Sequence, residues 1–531
     1  MRKFNVYETE NKLSSMNKNS DSYGTEDSNE SVLMYDIQSP SLQQCLEEFA
    51  ELGEIQAVVD QAKKTHQEQF SPGSLRLLRA YDIGMNRLKS ERIIEPTFDA
   101  VNVETSNDGF STEKIMRIAG ERFIQSFTET IDVVSMLDNP FNVSLSGLSD
   151  EDAKKVELAQ LLLSAAEKVG HQLYNRARIL LNHCDELSSF TGNAVERVVY
   201  YFSKALRERI DRETAKVTFQ TGLGNQQFFN VDEAIMAPSP NILAIYQEIP
   251  FSQVSQYAGI QAVVENVTRA KKVHIIDPGI RIGVQWTGLM QALVEESGCP
   301  LELLKITAIG TSMKDLIEDT GKRLTSFAQS INLPFSFNIV MVSDILDLQP
   351  NHFDFDSDET LVIYCEHWLR TLLPVPDRLS YMMKLIKTLK PSIMVVTEPE
   401  CHSTSPSFVT RFIEALFFHS AYFDCLESCM GNEQNRIEIE CLHFGDGIRN
   451  ILATEGEERK LQTAKLHVWR AYFARFGMVE TELSTSSLCQ GRLVARKFAC
   501  GSACTLEQDG KSLLIGWKGT PIYSLSVWRF I

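Results

Sequence analysis

No stretch of this 531-residue chain is apolar for long enough to cross a bilayer, since a membrane helix needs about 20 consecutive apolar residues. The N-terminus, MRKFNVYETENK, has no apolar core of the kind a secretory signal requires. Basic residues are also in short supply. There are 52 Lys and Arg against 70 Asp and Glu, a net charge of −18 and a pI near 5.1. Broad, sequence-independent binding to nucleic-acid phosphates depends on Lys and Arg releasing counterions. The charge therefore argues against DNA as the main partner and leaves room only for a local basic patch. Lys63-Lys64 and Lys271-Lys272 are too short to serve as a nuclear-import cluster. There is no C-x-x-C among the 11 cysteines. The closest pairs, Cys425/Cys429 and Cys500/Cys504, have no histidine at zinc-site spacing, so the expectation is free thiols in a reducing compartment, with no metal. Together these shortages point to an intracellular protein, cytosolic or nuclear, away from membranes.

What is present is an ordinary globular composition, 43% hydrophobic, over a length sufficient for a large core and more than one structural unit. Residues 1–31 are rich in Asn, Ser, Asp and Glu and cannot bury enough surface to offset ordering entropy; segment 1–40 is read as disordered. Residues 41–150 form a variable region with helices expected at Ser41–His66 and Thr112–Phe127, and a short helical stretch at Leu75, Leu77 and Leu78. From 151 the pattern changes. Leu158, Leu161, Leu162, Ala165, Val169, Leu173 and Ala177 recur at helical spacing. A second helix is expected over Ala194–Ile210, with Asn193 as N-cap and Glu196 as its capping partner. Residues 151–250 thus read as a mainly helical cap on an α/β core at 251–531.

Beyond residue 270, strands and helices alternate, which predicts a mostly parallel sheet covered on both faces. Strands are expected at Lys272–Asp277, Glu302–Ile309, Phe335–Val342, Glu359–Tyr364 and Ser392–Glu398. Helices are expected at Trp286–Glu295, Gly321–Ser330 and Asp377–Leu389, and a long one at Ser407–Cys425 with Ser405 as cap and Pro406 in its first turn. Arg492–Ala499, Ser512–Trp517 and Tyr523–Phe530 read as further strands, the last two joined at Gly519-Thr520-Pro521 into an antiparallel hairpin.

The segment Lys272–Leu293, KVHIIDPGIRIGVQWTGLMQAL, carries most of the information. Val273, Ile275 and Ile276 form a buried strand, Asp277 ends it, and Trp286, Leu289, Met290 and Leu293 begin a helix. A dinucleotide fingerprint needs G-x-G-x-x-G between strand and helix. Here the tract is Gly279-Ile280-Arg281-Ile282-Gly283, with Ile280 and Arg281 where small residues would admit a ligand. Asp277, Gly279 and Gly283 therefore have two readings. They contact a nucleotide-like ligand such as S-adenosylmethionine, or they form a junction in which the acid caps the helix and the glycines permit packing. The incomplete glycine spacing favours the second, as does the second strand, which ends Ala308-Ile309-Gly310 without a ribose-binding acid; Asp315 comes too late. No cofactor is expected.

Other features divide in the same way. His274 alternates with apolar residues and reads as a hydrogen-bonded core residue. Glu366 and His367, just past a strand, are the best acid–base pair, but no nucleophile motif accompanies them. Leu158, Leu161 and Leu162 form an LxxLL motif that either docks in a partner's groove or packs in the core. Trp517 and Trp528 are interface anchors or residues that close the sheet, the second being favoured. Glu455 and Arg459, spaced i, i+4, read as a solvated pair on a helix.

Several blocks in order resemble the GRAS family of plant regulatory proteins. They are the leucine-rich segment, VHIID at Val273, His274, Ile275, Ile276 and Asp277, Gln285-Trp286, Pro334-Phe335 at the start of a PFYRE-like region, and IRNILATEGEERKLQTAKLHVW, with Glu455, Gly456, Arg459 and Trp469 in matching places. The C-terminal LLIGWKGTPIYSLSVWRF, with Trp517 and Trp528, resembles the SAW motif. Pro278 stands where the family usually has phenylalanine. Within the family, FARFGMVETELS, KFACGSACTL and SVWRF resemble the DELLA-like branch, whose setting is gibberellin signalling. The sequence contains no DELLA pentapeptide, the segment through which such proteins bind the hormone receptor. The resemblance implies a Rossmann-like, methyltransferase-like core under a helical cap. It also implies a non-enzymatic nuclear regulator acting through DNA-binding transcription factors, and homo- or hetero-association with other GRAS proteins. The alternative is an S-adenosylmethionine-dependent small-molecule methyltransferase on the same framework.

Overall fold

The computed structural model describes residues 110–128, 148–214, 240–295 and 301–531. The expectations for 1–40, 41–66 and 75–78 lie outside the described residues. No described helix is long and apolar enough to cross a membrane.

A helical unit comes first. It comprises α1 (Thr112–Thr128), α2 (Asp150–Gly170), α3 (Tyr174–Leu187) and α4 (Ala194–Glu213). Serine and asparagine side chains start two of these helices: Ser149 accepts from Asp152 N–H and Asn193 accepts from Glu196 N–H. The leucine-rich periodicity belongs to two helices, broken at Gln172, whose φ is 58°. Helix α1, from the region read as variable, packs with α2 around Ile115, Met116, Ala119 and Phe123. Two further helices, α5 (Pro240–Glu248) and α6 (Pro250–Val267), lead into the sheet.

The sheet is built from β1 (Lys272–Asp277), α7 (Val284–Glu295), β2 (Leu303–Gly310), α8 (Lys314–Ser330), β3 (Phe335–Met341), β4 (Glu359–Glu366), α9 (Pro376–Leu389) and β5 (Ile393–Pro399). After it come α10 (Phe408–Cys429), α11 (Glu433–Ile439), a π-helical turn (Glu440–Gly445), α12 (Asp446–Leu452) and α13 (Leu466–Arg475). The remainder is β6 (Met478–Thr481), α14 (Thr485–Lys497), β7 (Cys504–Asp509), β8 (Ser512–Trp517) and β9 (Thr520–Phe530).

The strand order is β3-β2-β1-β4-β5-β9-β8-β7, with β6 also paired to β9. The first five strands are parallel, and β6 to β9 extend them antiparallel. This is a Rossmann-like sheet, and it reverses direction of growth between β1 and β4. Alternation along the strands sorts side chains by face. Ile275, Val362, Val395 and Leu525 share a core with α6, α7 and α14. On the opposite face Trp528 meets Phe473 of α13, ring centroids 4.9 Å apart.

Helix α10 joins the two units. It is apolar almost all round, as a fully buried helix must be. Phe408 to Phe417 lie in the helical core, while Ala421, Tyr422, Cys425 and Leu426 lie in the sheet core. Asp424 draws distant elements onto it: Thr112 N–H, Trp517 Nε1 and Lys518 Nζ all reach its carboxylate.

Four expectations are corrected. Arg492–Ala499 is not a strand; most of it lies in α14, capped by Ser484. Gly491 faces Val254 and Ala258 of α6. Helix α10 is capped by Ser407, which accepts from Thr410 N–H, so Ser405 and Pro406 precede it. Arg459 and Glu455 do not form a solvated helical pair. They flank a 3-10 turn, Arg459 is buried and donates to Ser403 O, and Glu455 instead receives Arg209 and Arg411. Nor are all the cysteines free: Cys429 and Cys500, 71 residues apart in sequence, are joined as a disulfide because the end of α10 packs beside the segment after α14, with Cα atoms 5.8 Å apart.

Candidate functional site at the sheet switch point

In doubly wound sheets ligands collect at the carboxyl ends of the strands where strand order reverses. Here that place lies beyond β1 and β4. The turn after β1 is shaped by Asp277, which accepts from Gly279 N–H at 3.1 Å and from Trp286 Nε1 at 2.9 Å. The acid thus fixes the turn and the indole rather than capping the helix N-terminus. Burial raises its pKa to about 7, against the lowering effect of those donors. Gly283 takes φ 67°, and a Cβ there would come within 3.0 Å of Thr320. Gln285 and Trp286 are buried behind the turn, the indole edge-on to Tyr364 at 4.9 Å.

The space an adenosine would need is small. Beside Gly279, Gly310 and Ser312 there is a recess of about 40 Å³, room for only a few waters. Trp368 closes it, its Cβ 3.1 Å from where a Gly279 side chain would begin. Gly310 ends β2 without an acid, and Asp315 is exposed on α8. These residues do not fit S-adenosylmethionine.

A larger cleft, about 250 Å³, opens next to it between the strand ends and the α10–α12 region. Its lining includes Gln256, Arg281, Glu366 and Arg370 together with Phe418, Tyr422 and Phe444. Glu366 accepts both its hydrogen bonds from Gln256 Nε2, at 3.0 and 2.9 Å. Burial raises its pKa, opposed by Arg281 and Gln256. Glu398, at the end of β5, accepts from Arg370 N–H at 3.3 Å; burial raises it to about 7, with Arg370 opposing. His367 has φ 54°, and neither ring nitrogen meets a hydrogen-bond partner. Burial, then the charges of Arg281 and Arg370, keep its pKa well below the usual histidine range. Orphaned buried polar atoms gather here: Gln256 Oε1, Arg281 Nε, Thr397 Oγ1 and Glu398 Oε2 join those of His367. Such atoms in a native interior call for an explanation. Glu366 and His367 are therefore adjacent at the carboxyl end of β4.

A sequence profile of the GRAS domain family matches residues 158–529. The chain belongs to the GRAS family. It is 29% identical over 383 residues to DELLA protein RGL1 of Arabidopsis thaliana, covering 72% of this chain and 71% of that one. It is 32% identical over 387 residues to Protein SCARECROW of Ipomoea nil, covering 71% of this chain but 47% of the relative. The crystal structure of SCL7 in Oryza sativa superposes with a TM-score of 0.62 at 23% identity, covering 70% of this chain and 99% of that one, a likeness of fold. The relatives are plant regulatory proteins of the DELLA and Scarecrow kinds, and a regulatory role accompanies membership.

In this GRAS chain the motif residues are placed as follows. Val273, Ile275 and Ile276 are core. His274 is held between Glu359 at 2.9 Å and Thr307 at 2.7 Å, a hydrogen-bonded core residue as expected. Leu158 and Leu162 are buried in the helical core and Leu161 is partly covered against it. Trp469, Trp517 and Trp528 are all buried. Sequence reasoning missed Gln256, Arg370, Tyr422 and Tyr523 as cleft residues. Arg370 carried a usable signal, following β4 by four residues; the others arrive from α6, α10 and β9, with nothing local to mark them.

Proposed function

We propose that this GRAS protein is a nuclear regulator of transcription that acts by recruiting DNA-binding transcription factors and by associating with other GRAS proteins. One observation carries the non-enzymatic part: Trp368 packs on Gly279 where a methyltransferase would seat its nucleoside. The framework serves as a rigid support. Family membership supports the regulatory part, and the acidic net charge favours protein partners over direct DNA contact.

The test is affinity purification of the full chain from plant nuclei. Transcription factors should be recovered, and a gel shift with the purified chain alone should show only weak, salt-sensitive DNA binding. Failure to recover any transcription factor from tissue that expresses the protein would count against the reading. Calorimetry with S-adenosylmethionine should give no heat at millimolar ligand. Binding that disappears in Gly279→Leu, with the fold intact, would favour the methyltransferase instead.

A further inference from the structure

The switch-point cleft has features that the regulatory reading does not call for. Arg281 comes from the turn after β1, and Arg370 from the short 3-10 turn Leu369–Thr371 after β4. Both reach the same cleft. The Arg281 side chain has no hydrogen-bond or ion-pair partner among the described residues, and its Nε is buried. Arg370 Nε donates to His367 O at 3.2 Å; no carboxylate of the described residues lies within ion-pair distance of its guanidinium. Both side chains are half-buried, and drawing a guanidinium out of water without an ion-pair partner is costly. Two of them facing one cavity make a site whose missing component is negative.

The carboxylates nearby make no ion pair with either guanidinium among the described residues. Glu366 is engaged by Gln256 on both oxygens, Glu398 is turned to the backbone of Arg370, and Asp277 is held by Gly279 and Trp286. Their nearness does set the charge of any guest. A dianion such as a phosphomonoester would meet more repulsion from Glu366 and Glu398 than a single carboxylate would. Planar guanidinium groups match a carboxylate in two-point geometry. Phe418, Tyr422, Phe444 and Ile451 give the lining an apolar, largely aromatic part. The volume, about 250 Å³, lies just below the usual range for drug-sized ligands.

We propose that this cleft binds a small monocarboxylic acid, its carboxylate between Arg281 and Arg370 and its apolar body against Phe418, Tyr422 and Phe444. The assignment goes beyond the regulatory reading and stands without it. Phe444 belongs to the π-helical turn, a geometry common at functional sites. Glu440 of that turn is buried against Arg197 of α4 at 2.9 Å. A guest pressing on Phe444 therefore touches the segment bolted to the helical unit.

The experiment uses the purified full chain, with isothermal titration and thermal melts. The probes are trans-cinnamate, 2-naphthoate and cyclohexanecarboxylate, with cinnamamide and phenyl phosphate as comparators. At least one carboxylate should bind and raise the melting temperature, and cinnamamide should not. Arg281→Gln should weaken carboxylate binding by about tenfold or more, the effect expected for losing one charge-assisted contact, with the fold retained because the Arg281 side chain makes no hydrogen bond or ion pair among the described residues. Arg370→Gln should weaken binding as well; if it does not fold, Arg281→Gln decides alone. Equal binding of cinnamamide, tighter binding of phenyl phosphate, indifference to Arg281→Gln, or no binding by any of the carboxylates at ten millimolar would each overturn the proposal.

Discussion

Trp528 shows how much one side chain does here. It is buried, edge-on to Phe473, and its Nε1 donates to Ser526 Oγ at 2.9 Å. Trp528→Ala removes that contact and leaves a cavity, a loss of about 3–5 kcal/mol, to be read in urea melts; little change in midpoint would mean that the surroundings collapse onto the gap. Glu398 makes a pH prediction. Its folded pKa, about 7, lies above an ordinary glutamate's. Between those values the folded state holds a proton that the unfolded state has released. Stability from this group is therefore full below about pH 4 and declines as pH rises through about 7. Asp277 and Glu400, also raised to about 7 by burial, act in the same direction. Glu398→Gln should make the decline between pH 5 and pH 8 shallower, measured by chemical denaturation at several pH values. An unchanged slope would remove Glu398 from the account.

At the scale of elements, Gly283 governs the junction between β1 and α7. Its φ of 67° and its closeness to Thr320 and Leu324 make Gly283→Ala costly twice over, by about 1–2 kcal/mol for the left-handed backbone alone, plus the contact. Thermal melts should show it, and a neutral result would mean the turn can re-form with φ negative. Asn193→Ala should cost about 1 kcal/mol through loss of its cap on α4, seen by the same method. The elements themselves were largely legible. The parallel strands β1 to β5 are short apolar runs bounded by turn residues, and Asn193 announced its helix. The misreadings have physical causes. Arg492–Ala499 is too short and too mixed for period to separate strand from helix, and what decides is the packing of Val494 and Ala495 of α14 in one core with Val254 and Ala258 of α6. Strands β6 and β7 are half-exposed edge strands with little apolar content, so they left no run to read. Arg459 was taken as solvated because spacing alone cannot show that Ser403, 56 positions away, offers it a carbonyl. The cleft is legible only in part: Arg281 lies in the tract between β1 and α7, while Phe418, Tyr422 and Phe444 come from α10 and the π-helical turn.

For the molecule as a whole, the Cys429–Cys500 bridge closes a loop 71 residues long that contains the cleft's helical cover and β6. A closure of that length is worth about 4 kcal/mol on the chain-entropy view. Adding a phosphine reductant should lower the melting temperature of the oxidised protein, and Cys429→Ser should show no such response. An equal response in both would place the effect elsewhere. Strand β9 has a different bearing. It pairs with β5 on one side and with β8 and β6 on the other, so of the described strands the one synthesised after all the others is an inner one of the sheet. A ribosome that has read only through β8 has made two sheet fragments with no seam between them. Frameshifts or stop codons falling just ahead of Thr520, though they spare most of the coding length, should behave genetically like early ones.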